Sequence, residues 1–237
     1  MVLLGHEVIT MEKFITVAID GPAAAGKSTI AKRVAKLLNY TYLDTGAMYR
    51  AVTYAVIKAG LNPEIEEESV KVLPGLKIDL KEDGTVLCND EDVTKVIREP
   101  IVSSKVSYIA AMKPIRLALV DMQREMANSK NVILDGRDIG TYVLPNANVK
   151  IFQIASVECR AKRRYIENLE KGINSTLEEI TESVKKRDYI DSHRDFAPLK
   201  KAEDAVEIDT SDMTIEESVD AVLAVIKEKT GIEIPCH

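Results

Sequence analysis

Short apolar runs alternate along this chain with longer stretches in which apolar residues recur at helical spacing. Residues 14–20 are β-branched and apolar, ending in Asp20, as expected of a parallel strand buried on both faces. Similar strands are expected at 40–44, 131–135, 149–154 and 206–210, and helices at 29–38, 45–59, 101–111, 115–127, 156–170, 176–194 and 214–229. Strand and helix in turn predict an α/β fold: a parallel five-stranded sheet flanked by helices.

Residues 61–100 break this rhythm. After Asn62 and Pro63 comes an acidic stretch, 64–68, read as a solvated face. Residues 76–80 and 85–89 then alternate around the turn Glu82, Asp83, Gly84, and residues 91–93 continue after a second turn. Period-two runs separated by Asp-Gly predict a small antiparallel β insertion. Lys113 and Pro114 interrupt the helices beyond it, where Ser107 and Arg116, on pattern alone, read as solvated. Asp44 or Thr45 is expected to cap the second helix, and Thr176 and Thr214 stand at helix starts with an acidic residue three positions on. The tail 231–237 is expected to fray.

Composition narrows the classes. The chain has 237 residues, 46% hydrophobic and 30% charged, enough for one domain with an insertion. A net charge of −6 argues against extended nucleic-acid binding, which needs a basic surface. Cys88, Cys159 and Cys236 are odd in number and widely spaced, which predicts reduced thiols in a cytoplasmic protein rather than a disulfide framework. His6, His193 and His237 do not form a metal-binding pattern. Residues 1–10 lack a basic leader pattern and are expected to be an upstream extension, with Met11 the functional start. No run reaches the ~20 apolar residues of a membrane span.

The chemistry begins at Gly21, Pro22, Ala23, Ala24, Ala25, Gly26, Lys27 and Ser28, which match G-x-x-x-x-G-K-[ST] between a strand and a helix. That order gathers backbone N–H groups and a helix N-terminus around one anion, so the loop predicts a nucleoside triphosphate. Lys27 is expected to reach the β- and γ-phosphates, and Ser28 to ligate Mg²⁺. Thr45 and Arg50 follow the second strand, where open α/β sheets bind ligands. Asp135 ends an apolar strand as a Mg²⁺-supporting acid would, and Arg137 and Asp138 follow it. Arg160, Lys162, Arg163 and Arg164 lie on one helix, and Arg187 and Arg194 near the end of the next. They read either as solvated faces or as a closing lid whose arginines neutralise charge.

Taken together, GPAAAGKST, LDTGAMYRAV, DGRDIGT, RAKRR and RDYIDSHRDFAPL, in that order, resemble the bacterial cytidylate (CMP) kinase family of P-loop nucleoside monophosphate kinases. The resemblance implies a P-loop nucleoside triphosphate hydrolase fold. Its single kinase domain over 11–237 comprises a core (11–60, 101–155, 205–230), a monophosphate-binding insertion (61–100) and a short helical lid (156–200). It implies phosphoryl transfer from ATP to CMP or dCMP with Mg²⁺ as cofactor, by a monomer. Gly21 to Thr29, with Arg160 and Arg164, match ATP-binding positions. Thr45, Arg50, Ser107, Arg116, Arg137, Asp138, Arg187, Asp191 and Arg194 match CMP-binding positions, which revises the solvated reading of Ser107 and Arg116. Lys27, Arg137, Arg187 and Arg194 are the implied catalytic set, and the metal set is Ser28 with Asp135 acting through water. The alternatives are a related kinase acting on UMP or AMP, or a nucleotide-dependent regulatory or RNA-binding module.

Overall fold

The computed structural model describes residues 14–128, 130–170 and 172–234, so the expected extension 1–10 and start at Met11 lie outside the described residues, as do His6, Cys236 and His237. Strand β1 (Thr16–Asp20) leads into helix α1 (Lys27–Leu38), then β2 (Thr41–Asp44) and α2 (Thr45–Lys58). A short helix α3 (Glu66–Ser69) and a 3₁₀ turn precede the insertion strands β3 (Ile78–Leu80), β4 (Val86–Cys88) and β5 (Glu91–Asp92). Helices α4 (Pro100–Ala111) and α5 (Lys113–Ala127) lead to β6 (Val132–Gly136) and β7 (Val149–Ile154). Helices α6 (Val157–Glu170) and α7 (Leu177–His193) form a hairpin before β8 (Val206–Asp209) and α8 (Ile215–Thr230).

The five long strands form one parallel sheet in the order β2-β6-β1-β7-β8. Its centre is β1, whose Val17, Ala18 and Ile19 are fully buried. Helices cover both faces, which is why these strands read as continuous apolar runs. On one face Val17 and Ile19 pack with Ile30 and Val34 of α1 and with Val222 and Ile226 of α8. On the other, Ala18 and Leu134 pack with Val120 of α5. The antiparallel sheet β3-β4-β5 does not stand alone: Ile78, Val86 and Cys88 share a core with Met48 and Val52 of α2 and with Ile109 and Ile115 of α4 and α5.

Local chemistry sets the boundaries. Asp44 caps α2 by accepting from Ala47 N, and Thr176 and Thr214 form reciprocal capping boxes with Glu179 and Glu217. The Lys113-Pro114 interruption is a new helix start with proline in its first turn, where the missing N–H is harmless. Two sequence expectations are corrected. Ile232 and Ile234 pack against the α1/α8 core, so the described part of the tail does not fray: the alternate apolar residues after Gly231 give it something to bury. Ser107 and Arg116 are buried: α5 turns Arg116 inward onto Asp138 in the turn after β6, and α4 turns Ser107 away from solvent.

Candidate active site

Three adjacent strands end in acids at one edge. Register pairs Ile19 with Asp135, Asp20 with Gly136 and Asp44 with Asp135, so Asp20, Asp44 and Asp135 stand together at the carboxyl ends of β1, β2 and β6. This is where open α/β sheets receive ligands. The loop 21–26 rises from the middle of that edge.

The loop is shaped by what its glycines omit. A Cβ on Gly21 would lie 1.9 Å from the Gln153 carbonyl oxygen, so only glycine lets the loop leave β1 beside β7. Gly26 (φ 89°) supplies the left-handed turn that starts α1, leaving that helix's first N–H groups at the loop. From behind, the Ala25 carbonyl accepts from Gln153 Nε2 at 2.5 Å and Arg163 Nη1 at 3.3 Å, and the Ala23 carbonyl from Arg160 Nη1 at 3.0 Å. Arg160 also pairs with Asp188 at 2.7 Å, tying α6, α7 and the loop together.

Lys27 folds back over the loop and donates to the Gly21 and Pro22 carbonyls at 2.9 and 2.7 Å. Burial holds its pKa well below the ordinary lysine value, and the nearby Arg137 reinforces this. A phosphate is the compensating anion such an ammonium lacks. Beside it, Asp135 accepts from Ser28 Oγ at 2.7 Å and from the Tyr42 hydroxyl at 2.6 Å. Burial raises the Asp135 pKa, with Asp44 adding repulsion. A hydroxyl and a carboxylate at the loop's lip are hard oxygen donors, a set that suits Mg²⁺ completed by phosphate oxygens and water. Among the described residues no group of three or more His, Cys, Asp or Glu side chains forms a protein-only cage.

Across the loop lies a second group of charges. Arg116, buried on α5, donates to the Ala110 carbonyl at 2.9 Å and to Asp138 at 2.5 Å, and its guanidinium stacks 5.3 Å from the Tyr49 ring centre. Arg194 reaches Asp138 at 3.4 Å and the Ala197 carbonyl at 2.6 Å, so Asp138 sits between two buried guanidinium groups. Arg137 donates to Asp191 at 2.8 Å and thereby joins the turn after β6 to α7. Arg137, with Arg187 beside it, holds the Asp191 carboxyl below its ordinary value although burial opposes it. Burial and the neighbouring Arg137 push Arg187 down to about 10, and burial and Arg187 push Arg50 down to about 9. Both remain charged at neutral pH. Two donors here lack a protein partner: Arg116 Nε and Arg187 Nε are buried and unpaired.

The sequence-predicted residues therefore converge in two groups. Gly21 to Thr29 with Asp135 form the loop side; Arg116, Arg137, Asp138, Arg187, Asp191 and Arg194 form the opposite side. Thr45 is buried with its hydroxyl on the Asp135 carbonyl at 2.7 Å, and Arg50 donates to Ser103 Oγ at 2.6 Å and to the Ile97 carbonyl at 3.3 Å. Ser107 lies buried on α4. Arg164 pairs with Glu167 at 2.9 Å along its own helix. Sequence reasoning missed Asp20, Tyr42 and Gln153, and named Arg163 only among the basic residues of a solvated face or lid. Asp20 carried a signal, being an acid that closes an apolar strand just as Asp135 does.

Comparison with known proteins agrees with this geometry. The family model described as cytidylate kinase matches residues 17–228. A cytidylate kinase from Bacillus cytotoxicus is 50% identical over 221 residues, covering 92% of this chain and 98% of that protein. One from Anoxybacillus flavithermus is 51% identical over 222 residues, covering 92% and 99%. Among solved structures, an uncharacterized protein from Eubacterium ventriosum superposes with a TM-score of 0.50 at 16% identity, covering 91% of this chain and 99% of that one, a likeness of fold. The family match over nearly the whole chain and the half-identical relatives place it in the cytidylate kinase family.

Proposed function

We propose that this chain transfers the γ-phosphoryl group of ATP to CMP or dCMP, giving ADP and CDP or dCDP. The observation that carries the reading is the buried Arg116-Asp138-Arg194 cluster, joined to the Arg137-Asp191 pair, standing opposite a phosphate loop. A carboxylate held between two guanidinium groups, with Arg116 Nε and Arg187 Nε still unpaired, offers donors and an acceptor to a small polar base, its sugar and a phosphate.

In the reaction an oxygen of the acceptor phosphate attacks the γ-phosphorus in line. The bond from that phosphorus to the β–γ bridging oxygen breaks, and ADP leaves with the electron pair. The acceptor oxygen is already anionic near neutral pH, so no strong base is required and catalysis is positioning with charge neutralisation. Lys27 would exchange the Gly21 and Pro22 carbonyls for β- and γ-phosphate oxygens. Gly21 to Thr29 cradle the donor, and Arg160 and Arg164 act on its side of the lid. Arg137, Arg187 and Arg194 neutralise the acceptor and the transferring group, joined by Arg50 and Thr45. Ser107 meets the base, Arg116 the acceptor phosphate, and Asp138 and Asp191 the sugar.

Ser28, with Asp135 acting through water, would hold Mg²⁺, which when bound neutralises charge on the β- and γ-oxygens. The working division is a core (11–60, 101–155, 205–230), an insertion (61–100) that supports the acceptor side, and a lid (156–200) that excludes water on closing. We further propose that the chain works as a monomer in the cytoplasm; among the described residues no helix is long and apolar enough to cross a membrane. Coupled detection of ADP with CMP, dCMP, UMP and AMP as acceptors tests the reading: CMP and dCMP should turn over fastest.

A further inference from the structure

Asp20 takes no part in the chemistry described so far, yet both of its carboxylate oxygens are engaged by backbone N–H groups. It is 4% exposed and accepts from Ile139 N and Gly140 N, both at 2.8 Å. Those N–H groups belong to the turn after β6, immediately beyond Arg137 and Asp138. The turn is wide: the Asp138 carbonyl accepts from both Tyr142 N at 2.8 Å and Val143 N at 3.1 Å. A Cβ at Gly140 would lie 3.4 Å from Asp20 Oδ2 and 3.2 Å from Lys150 Cδ, so the turn comes up against β1 and β7 closely. In the chain, Asp20 adjoins Gly21, the first residue of the phosphate loop. One side chain thus joins the first residue of the donor loop to the segment carrying the acceptor-side Arg137 and Asp138.

We infer that Asp20 is a positioning residue for phosphoryl transfer, its carboxylate strapping the Ile139–Gly140 backbone to β1 so that Arg137 and Asp138 face the donor loop in register. The inference rests on the proposed CMP kinase reading. Both carboxylate oxygens are used, one per N–H, so an amide cannot replace them: an asparagine side chain in its place would accept from one N–H and turn its own NH₂ against the other. Lys27 is near enough to feel Asp20 but places its ammonium on the Gly21 and Pro22 carbonyls, so the strap serves the turn rather than the lysine. Burial lifts the Asp20 pKa to about 6, so keeping it ionised at neutral pH opposes folding.

The test is Asp20→Asn in the full chain, with steady-state kinetics and amide hydrogen exchange. The expected result is a KM for CMP raised at least fivefold, or a kcat reduced at least tenfold. The KM for ATP should stay within twofold. In the wild-type chain, the Ile139 and Gly140 amides should exchange as slowly as those of β6, and in Asp20→Asn they should lose that protection while β1 keeps its own. Unchanged CMP kinetics, equal rises in both KM values, loss of the fold, or unprotected Ile139 and Gly140 amides in the wild type would each overturn the inference. A wild-type chain that does not phosphorylate CMP would instead overturn the proposed function, and the exchange data would still report on the strap.

Discussion

At the scale of single residues, the site is built from groups whose ordinary protonation or pairing is disturbed by burial. Lys27 is the clearest: a buried ammonium resting on two carbonyls, with Asp135 and Asp20 nearby. Lys27→Ala should lower kcat by about 10² to 10³ fold, the usual loss when one charge-stabilising donor is removed. Its melting temperature should stay close to wild type, because the deletion also removes a poorly compensated buried charge. Near-full turnover would refute the role.

Asp20 makes a pH prediction whose sign follows from its raised value. The folded chain holds the Asp20 proton up to about pH 6, and the unfolded chain releases it near 3.8. Its stabilising contribution is therefore complete below about 3.8 and is lost as pH rises through about 6. The difference is on the order of 3 kcal/mol across that window. Lys27, Asp138 and the two turn N–H groups are the neighbours that modulate it. The melting temperature of wild type minus that of Asp20→Asn should accordingly become less favourable to wild type between pH 4 and pH 8. A difference that grows in favour of wild type over that range would show the shift to be absent.

At the scale of elements, the hairpin of α6 and α7 matters most, since it carries Arg160, Arg164, Arg187 and Asp191 and leads into Arg194. Its own apolar core is small: Ala161, Ile180 and Val184, with Val157, Tyr165 and Leu177 around them. Polar links do the rest, chiefly Arg160 to Ala23 and Asp188, and Arg137 to Asp191. Arg160→Ala would leave Asp188 without its partner, and Asp188 Oδ1 is already unpaired. Urea unfolding should report a loss on the order of 3 kcal/mol, as for other broken buried pairs. Thr176→Ala removes only the cap of α7 and should cost about 1 kcal/mol. If the two variants proved equally mild, Arg160 would not be the anchor of the hairpin.

Much of this was legible from the chain itself. The five apolar strands, the glycine loop, the three helix caps and the antiparallel insertion each rest on local chemistry that a short window contains. Ser107 and Arg116 show where such windows fail: their burial depends on how α4 and α5 pack in the assembled fold, and only the resemblance to a family pointed to them. Gln153 gave no local signal, and Arg163 only that of a basic face, because supporting the loop carbonyl of Ala25 requires β7 and α6 to be already in place. Tyr42 looked like an ordinary strand residue until parallel pairing set β2 beside β6 and its hydroxyl on Asp135.

At the scale of the whole molecule, the cores have unequal depth. The sheet is sealed by helices on both faces, and the insertion is welded to α2, α4 and α5 through Ile78, Val86 and Ile97. The α6–α7 hairpin has the smallest apolar cluster among the described residues, so it belongs to the least stable part of the structure. Amides of α6 and α7 should exchange faster than those of β1 and β6 in the free chain. They should slow when a non-hydrolysable ATP analogue and CMP are added together. Protection by the ATP analogue alone, to the same extent, would contradict a lid that closes on both substrates.

The central claim is the identity of the acceptor, which the phosphate loop leaves open and which we propose the Arg116-Asp138-Arg194 cluster decides. It is tested most directly by measuring kcat/KM for CMP, dCMP, UMP and AMP with ATP and Mg²⁺ under one set of conditions. The account predicts CMP and dCMP ahead of the other two, and a higher kcat/KM for AMP than for CMP and dCMP would contradict it.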